Sequence, residues 1–511
     1  MSEATPAAGT VPTAALDVDA MVARHRAAAQ ALPYTHVTDH IIGGERRASR
    51  GSGTLDVVDP ATGEVWGSVP IADRADVDDA VAAARAAFTE WRALSPSARA
   101  VLLTRMADEV EARAHELGVT NTLENGSPVA ETSRAAANAA SILRHFAGLA
   151  EYLERDDVRA FPDGVNETVV NRDPVGVCAL IAPWNFPINL VVIKLAPALL
   201  AGCTVVIKPA SPTPLSIRYL VDAAHAAGIP AGVVNLITGN GAIGDALVRH
   251  EGIDKVAFTG STPVGRRIAA ACGELLRPVT LELGGKSSAI VLPDADLDHL
   301  GSVLVRSCLR NTGQTCYIST RILATPENYD AVVQLVADTI AGSALGDPLD
   351  EATVFGPVAT ASQEETVRGY LRAGVEEGAR AVAGGELPNP FGIGTFTTPT
   401  VFADVTPEMT VAREEIFGPV ITVIPVRDVE HAIEVANNTP FGLGGIVFGR
   451  DEAAAYDVAR RVDTGSIGIN FFASNHSAPF GGRHDSGMGV EYGIEGLEAY
   501  LTPQSVHRRR H

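Results

Sequence analysis

Glu282, in T-L-E-L-G-G-K-S, and Cys316, in N-T-G-Q-T-C-Y, lie 34 positions apart in a chain of 511 residues. Each stands in a glycine-bearing, polar-flanked turn just past an apolar run, a place from which a side chain can face a cleft. A thiol attacks carbonyl carbon as its thiolate, and a nearby carboxylate of raised pKa can afterwards deprotonate a water. The pair suits covalent catalysis followed by hydrolysis. Asn185, between the two prolines of P-W-N-F-P, can aim an amide N–H at a developing oxyanion; the same turn also reads as a rigid corner whose Asn holds its own backbone.

Other stretches carry groups that can hold a nucleotide. Lys208, in K-P-A-S with Ser211, ends an apolar run from which an ammonium can reach ribose hydroxyls or phosphate. The stretch 239–244, G-N-G-A-I-G with Gly241 at its centre, matches GxGxxG after a strand, but no acidic residue closes a clean strand about 20 positions later. The stretch 258–265, F-T-G-S-T-P-V-G, also follows a strand and opens a helix, and Gly260, Ser261 and Thr262 offer hydroxyls and free N–H groups to a pyrophosphate. The second is the preferred site. In E-E-I-F-G-P, Glu415 can chelate ribose hydroxyls and Phe417 can support a planar ring, whereas in isolation the motif is a loop with a packed Phe.

The elements that must position these groups follow from the rhythm of the chain. A length of 511 residues with 46% hydrophobic and 20% charged content is ordinary globular composition, enough for two or three domains. Residues 1–35 are rich in Ala, Pro and Thr and read as a loosely held arm. Residues 58–66 read as two short strands around a Pro-and-Gly turn. Val77, Val81, Ala84, Phe88 and Trp91 fall on one helical face, with Asp76 available as a cap, and two more helices follow over about 98–117 and 131–155. Residues 155–174 read as an exposed hairpin, whose unpaired edge invites a partner strand. From 175 on, apolar β-branched runs alternate with helices, which predicts a parallel sheet covered on both faces, and a second such block runs from 288 to about 466. Glu282 and Cys316 then flank a domain boundary.

A net charge of −21 argues against nucleic-acid or anionic-membrane surfaces, since both reward clustered cations, and Arg508, Arg509 and Arg510 read as a solvated tail. The five cysteines show no CxxC spacing; Cys178, Cys203, Cys272 and Cys308 read as small buried hydrophobes, and a reducing compartment fits. None of the 13 histidines forms an HxH or HExxH pair, so no metal is expected. The longest candidate membrane run, 195–207, is 13 residues, too short to span, so the expectation is a soluble cytoplasmic protein.

Taken in order, P-W-N-F-P, K-P-A-S, F-T-G-S-T-P-V-G, L-E-L-G-G-K-S, G-Q-T-C, E-E-I-F-G-P and P-F-G-G-R-H-D-S-G resemble the aldehyde dehydrogenase superfamily over about 58–501. The resemblance implies an enzyme that oxidises an aldehyde to the acid with NAD(P)+. In that reading Cys316 is the nucleophile that forms a thiohemiacetal, Glu282 activates water against the thioester, and Asn185 with the Cys316 backbone N–H makes the oxyanion hole. It also implies that Ser261 and Trp184 line the pyrophosphate, Lys208 and Glu415 hold the two riboses, Phe417 flanks the nicotinamide, and Lys194 and Glu491 relay the proton released by water. The implied fold is α/β, two parallel-sheet Rossmann-like domains plus a small β oligomerisation domain, in homodimers or homotetramers. Its boundaries fall at 36–153 with 173–284 for the dinucleotide-binding domain, 285–484 for the catalytic domain, 154–172 with 485–511 for oligomerisation, and 1–35 for the N-terminal arm.

Departures from the family pattern bear on specificity. Ser211 stands where many NAD-preferring relatives carry Glu, a carboxylate that would repel a 2′-phosphate, so either NAD or NADP is expected. The common G-G-Y-K-x-S-G is G-G-R-H-D-S-G here, and G-R-E is Gly489-Val490-Glu491. Tyr317, Phe471, Phe472 and Phe480 suggest an aromatic-lined tunnel for an apolar aldehyde, while Arg483 can instead greet the carboxylate of a semialdehyde. Coenzyme-A-acylating relatives generally lack the Glu that stands at 282, which favours the hydrolytic route.

Overall fold

The computed structural model describes residues 16–510. The apolar runs between 175 and 284 form five parallel strands, Val177–Ile181, Thr204–Lys208, Val234–Leu236, Lys255–Thr259 and Val279–Glu282. The first in sequence lies in the middle, with 204–208 and 234–236 on one side and 255–259 and 279–282 on the other. Strand order therefore reverses between Val177–Ile181 and Lys255–Thr259, the switch point at which open α/β sheets bind ligands. Antiparallel strands Asp39–Ile42 and Glu45–Ala48 extend one edge, and Gly487–Met488 extends the other beside Glu282, making eight strands.

Successive side chains of a strand point to opposite faces, so a strand covered on both sides must be apolar throughout. Cys178 and Leu180 enter one core with helices Pro187–Ala201 and Ser216–Ala226; Val177, Ala179 and Ile181 enter the other with Arg74–Ala93, Gly241–Arg249 and Thr262–Glu274. The other three structural cysteines, Cys203, Cys272 and Cys308, are also buried. The second block forms a seven-stranded sheet, in order 380–383, 400–403, 420–425, 321–324, 288–291, 445–448 and 468–469, parallel apart from its first strand. The hairpin is present as Val158–Ala160 and Asn166–Pro174, with Leu501–Arg509 added to its other side.

Three expectations change. The cap of helix Arg74–Ala93 is Asp73; Asp76 closes the capping box from the third helical position, its carboxylate accepting from Asp73 N at 3.0 Å. Residues 485–500 do not belong with the small sheet: 487–488 pair with 281–282, and only the strand Leu501–Arg509 joins the hairpin. The arm is not loosely held over its described part, because Val18–Gln30 is a helix with Met21, His25 and Ala29 buried. Residues 1–15 lie outside the described residues.

What holds that helix is a buried imidazole between two carboxylates: His25 Nδ1 lies 2.6 Å from Asp59 Oδ2, and Nε2 2.8 Å from Asp347 Oδ1. The contact joins the arm to residues that precede the first sheet's helices and to a loop of the second block. Burial disfavours the charged ring, but Asp347 and Asp59 outweigh it and raise the pKa to about 9. The folded value exceeds the unfolded imidazole value of about 6.5, so the contribution is whole below pH about 6.5 and fades as pH rises through the folded value. Its full size is on the order of 3 kcal/mol. Thermal melts of wild type between neutral and alkaline pH should show this loss, and His25→Ala should be less stable at neutral pH and lack that part of the slope.

Candidate active site

Register places the first carboxylate. Thr259 pairs with Glu282 across adjacent parallel strands, so both side chains leave the sheet at its carboxyl edge. Lys194, fully buried on helix Pro187–Ala201, donates from Nζ to Thr259 Oγ1 at 2.6 Å and to Glu491 Oε1 at 2.6 Å. Glu491 arrives from the segment that follows the edge strand Gly487–Met488. Glu282 is 2% exposed, and neither carboxylate oxygen has a side-chain or close backbone hydrogen-bond partner. Burial first, then the charge of Glu491, hold its carboxyl well above the usual carboxylate range, against a downward pull from Lys194. A carboxyl of this kind is poised to act as a base.

Cys316 is the one cysteine with surface open to solvent. Burial pushes its thiol up, and the negative charges of Glu415, Glu282 and Glu491 push it further, while its own backbone N–H favours the thiolate. Glu282 and Cys316 thus share one electrostatic neighbourhood. Gly285, in the turn after Glu282, lies so close to the Cys316 carbonyl oxygen that an added Cβ would overlap it.

Side-chain amides lock the turn that carries Cys316 to the turn that carries Asn185. Asn185, 3% exposed, donates from Nδ2 to Gln314 O at 2.9 Å. Asn125 Nδ2 donates to the carbonyls of Trp184 at 3.0 Å and Asn185 at 3.3 Å, and Asn311 Nδ2 to Asn185 O at 3.0 Å. Gln314 Oε1 accepts from Ala359 N at 2.9 Å. An amide nitrogen carries two donors, and the bond to Gln314 O uses one of them. The bland alternative for Asn185, a side chain spent on its own turn, is not what the structure shows: its contact is with residue 314. Sequence reasoning missed Asn125, Asn311 and Gln314, although N-T-G-Q immediately before the thiol is unusually rich in amides.

The nucleotide-holding candidates are strung along the carboxyl ends of the strands. Lys208, 5% exposed, donates to Pro209 O at 2.9 Å, and burial lowers its pKa to about 8. Ser211 Oγ donates to Gly239 O at 3.3 Å, and an added Cβ at Gly244 would lie 3.6 Å from the Lys208 stem. The passed-over G-N-G-A-I-G loop, with Gly241 exposed, therefore sits beside Lys208 and Ser211. Ser261 is the exposed N-cap of Thr262–Glu274 with no side-chain cap bond, and Gly260 N donates to Glu282 O at 3.0 Å. On the far side Trp184 and Phe417 meet edge to face at 5.4 Å. Phe417 adopts φ +55°, held there by Gln363 Nε2 donating to the carbonyls of Ile416 and Phe417 at 2.9 Å each. Glu415 accepts from Gly285 N at 3.0 Å, and burial raises its carboxyl to about 7. A free helix N-terminus, a glycine space beside a buried ammonium and an aromatic pair at the opposite end fit a dinucleotide.

The aromatic expectations divide. Tyr317 stacks on Phe472 at 4.9 Å and meets Phe480 edge-on at 6.1 Å, whereas Phe471 is 66% exposed and leaves the group. Arg310, not foreseen, donates to Tyr317 Oη at 2.6 Å, lies over the Phe186 ring at 4.9 Å and pairs with Glu131. Arg483 is held at the surface by Asp463 Oδ1 at 2.7 Å.

A nucleotide-type sheet whose switch point opens onto a thiol, with a raised carboxyl behind it, defines a pyridine-nucleotide oxidoreductase that acts on a carbonyl. The comparisons give the family: the profile described as "Aldehyde dehydrogenase family" matches residues 47–506, so the chain belongs to that family. It is 46% identical over 469 residues to geranial dehydrogenase of Castellaniella defragrans, covering 91% of this chain and 98% of the relative. Among solved structures it resembles a mutant of aldehyde dehydrogenase C from Pseudomonas syringae in complex with NAD+ and octanal, at 39% identity and TM-score 0.89, over 92% of this chain and 96% of that one. An E. coli NADP dependent enzyme is similar at 35% identity and TM-score 0.90, over 93% and 98%. The chain is an NAD(P)-dependent aldehyde dehydrogenase.

Three consecutive residues before the thiol, Asn311, Thr312 and Gly313, have φ of +54°, +55° and +76°. A Cβ on Gly313 would overlap the Gly418 carbonyl oxygen. Gly313→Ala should therefore shift the thiol turn against the 414–419 loop and lower kcat/KM by about 100-fold, the usual cost of an ångström of misplacement. Steady-state kinetics beside a melting curve would check it, with activity expected to fall while most of the protein stays folded.

Proposed function

We propose that the protein oxidises an apolar aldehyde to the free carboxylic acid by covalent catalysis at Cys316 followed by hydrolysis. The observation that carries this reading is the buried Glu282 carboxyl, raised and without a hydrogen-bond partner, in the electrostatic neighbourhood of the Cys316 thiol. Once the Cys316 thiol has lost its proton to solvent, Sγ attacks the aldehyde carbon as the thiolate, the carbonyl π pair moves to oxygen, and the resulting oxyanion is met by Asn185 Nδ2–H and the Cys316 N–H. NAD(P)+, when bound, supplies the hydride acceptor, leaving the acyl group on Cys316 as a thioester. Lys208, Ser211, Gly241, Gly260, Ser261, Trp184, Glu415 and Phe417 are the residues that would hold it. Glu282 then takes a proton from water as the water oxygen attacks the thioester carbon, and the sulfur departs. Lys194 and Glu491, hydrogen-bonded to each other and close enough for their charges to act on Glu282, are the pair that would pass that proton on.

Either cofactor is admitted, because the hydroxyl of Ser211 brings no charge against a 2′-phosphate. The grouping of Tyr317, Phe472 and Phe480 supports an apolar substrate, as do the octanal complex and the geranial activity of two relatives. A semialdehyde reading loses its support with Arg483 taken by Asp463, and the charge of Arg310 is taken by Glu131. The hairpin and the strand Leu501–Arg509 present sheet edges through which subunits would join as dimers or tetramers.

Cys316→Ala should abolish NAD(P)H formation, and retained turnover would refute the assignment. Glu282→Gln should keep a first-turnover burst of NAD(P)H while steady-state turnover falls roughly 100- to 10,000-fold. Since the Glu282 carboxyl is held high and only its ionised form is a base, deacylation in the wild type should quicken as pH rises, and this dependence should vanish in Glu282→Gln. Omitting coenzyme A must still yield free acid; an absolute requirement for it would favour the acylating alternative. In a panel of aldehydes run with each cofactor, an eight-carbon aliphatic aldehyde should exceed an acidic semialdehyde in kcat/KM by about 10-fold or more.

A further inference from the structure

Lys286 and Arg321 bring two cationic side chains to one small cavity that the chemistry at Cys316 does not use. Lys286 belongs to the turn between the two sheets, and Arg321 opens the strand that pairs with Ser288, so the cavity lies at the amino ends of the central strands of the second sheet. Both side chains are buried, at 2% and 3% exposure. Arg321 Nη1 and Nη2 donate to Val435 O at 3.2 Å and Ala436 O at 3.1 Å, near the end of helix Val429–Asn437, but its Nε has no partner. Ser288 Oγ, buried in the same lining, has none either.

The carboxylates nearest these charges are Glu415 and Glu414, which act on Lys286 through their charge, and Asp463. Asp463, at the rim, is engaged by Arg483 at 2.7 Å and His484 at 2.6 Å, and Glu415 is turned to Gly285 N. Burial and the neighbouring Arg321 push Lys286 down to about 7, outweighing the upward pull of Glu415 and Glu414. Buried charges are ordinarily paired, and carbonyl dipoles at a helix end supply only part of a counter-charge. The cavity has room for about one water-sized occupant, too little for a tetrahedral oxyanion. The unpartnered groups of the lining are Arg321 Nε–H, a donor, and Ser288 Oγ, which can donate, and Lys286 lines the same cavity.

We propose that this cavity is a binding site for a monoatomic anion of halide size, chloride in ordinary buffers, held by Lys286, Arg321 Nε–H and Ser288 Oγ–H. Ser287 Oγ in the same wall accepts from Gly444 N at 3.2 Å, so an occupant would brace the turn that follows Glu282 against the strand beginning at Gly445.

The test compares apparent Tm of the full-length protein, in its purified oligomeric form, in sodium chloride, bromide, sulfate and gluconate at matched ionic strength. Chloride and bromide should raise Tm by roughly 2 °C over gluconate with a saturable dose dependence, sulfate should not, and Arg321→Gln or Lys286→Gln should lose the halide increment. Crystals of wild type soaked in bromide should show an anomalous peak between Lys286 Nζ and Arg321 Nε, a readout that stands even where the variants fail to fold. Equal shifts in every salt, a halide increment kept in both variants, or a cavity without bromide would overturn the proposal.

Discussion

The site depends on one buried ammonium. Lys194 Nζ has no solvent, and its two contacts, Thr259 Oγ1 and Glu491 Oε1, come from a central strand and from a segment 297 residues away. Removing one partner from such a buried pair costs about 3–5 kcal/mol, because the other charge stays behind unanswered. The helix Pro187–Ala201, the strand Lys255–Thr259 and the edge segment around Glu491 are therefore bound into one arrangement. Glu282, paired in register with Thr259, takes its raised pKa first from burial and then from the charge of Glu491, against the pull of Lys194.

The sheet and the chemistry are joined by backbone geometry more than by contact area. Glu282 ends the last parallel strand of one sheet, and Ser288 begins a central strand of the next, so the G-G-K-S turn between them is pressed against both Cys316 and Glu415. Side-chain amides from Asn125, Asn185, Asn311 and Gln314 then fix the thiol turn to the oxyanion turn. Preorganised donors of this kind cost nothing to align when charge develops.

The parallel strands were legible in the sequence because a strand covered on both faces has to be an unbroken apolar run, and Val177–Ile181 and Thr204–Lys208 are such runs. Cys316 and Asn185 stood out because each sits in a turn, and Glu282 because it closes an apolar strand rather than following it. The helix Val18–Gln30 was not, since its Ala-rich composition carries little apolar moment and its anchor is one imidazole between carboxylates distant in sequence. The same limit hid the amide network and Arg310, whose partners, Glu131 and Phe186, are far away along the chain. Asp73 and Asp76 are both acceptable caps on composition, and only helix geometry separates them. Phe471 was misplaced for a related reason: a motif tells that a side chain is near a turn, not to which side it leaves.

The separation of Lys194 from Glu491 has a consequence for biosynthesis. A nascent chain that has already made the helix Pro187–Ala201 holds a cation destined for the interior long before its counter-ion is translated. That cation meets its counter-charge only once the segment carrying Glu491, 297 residues further along the chain, has been made.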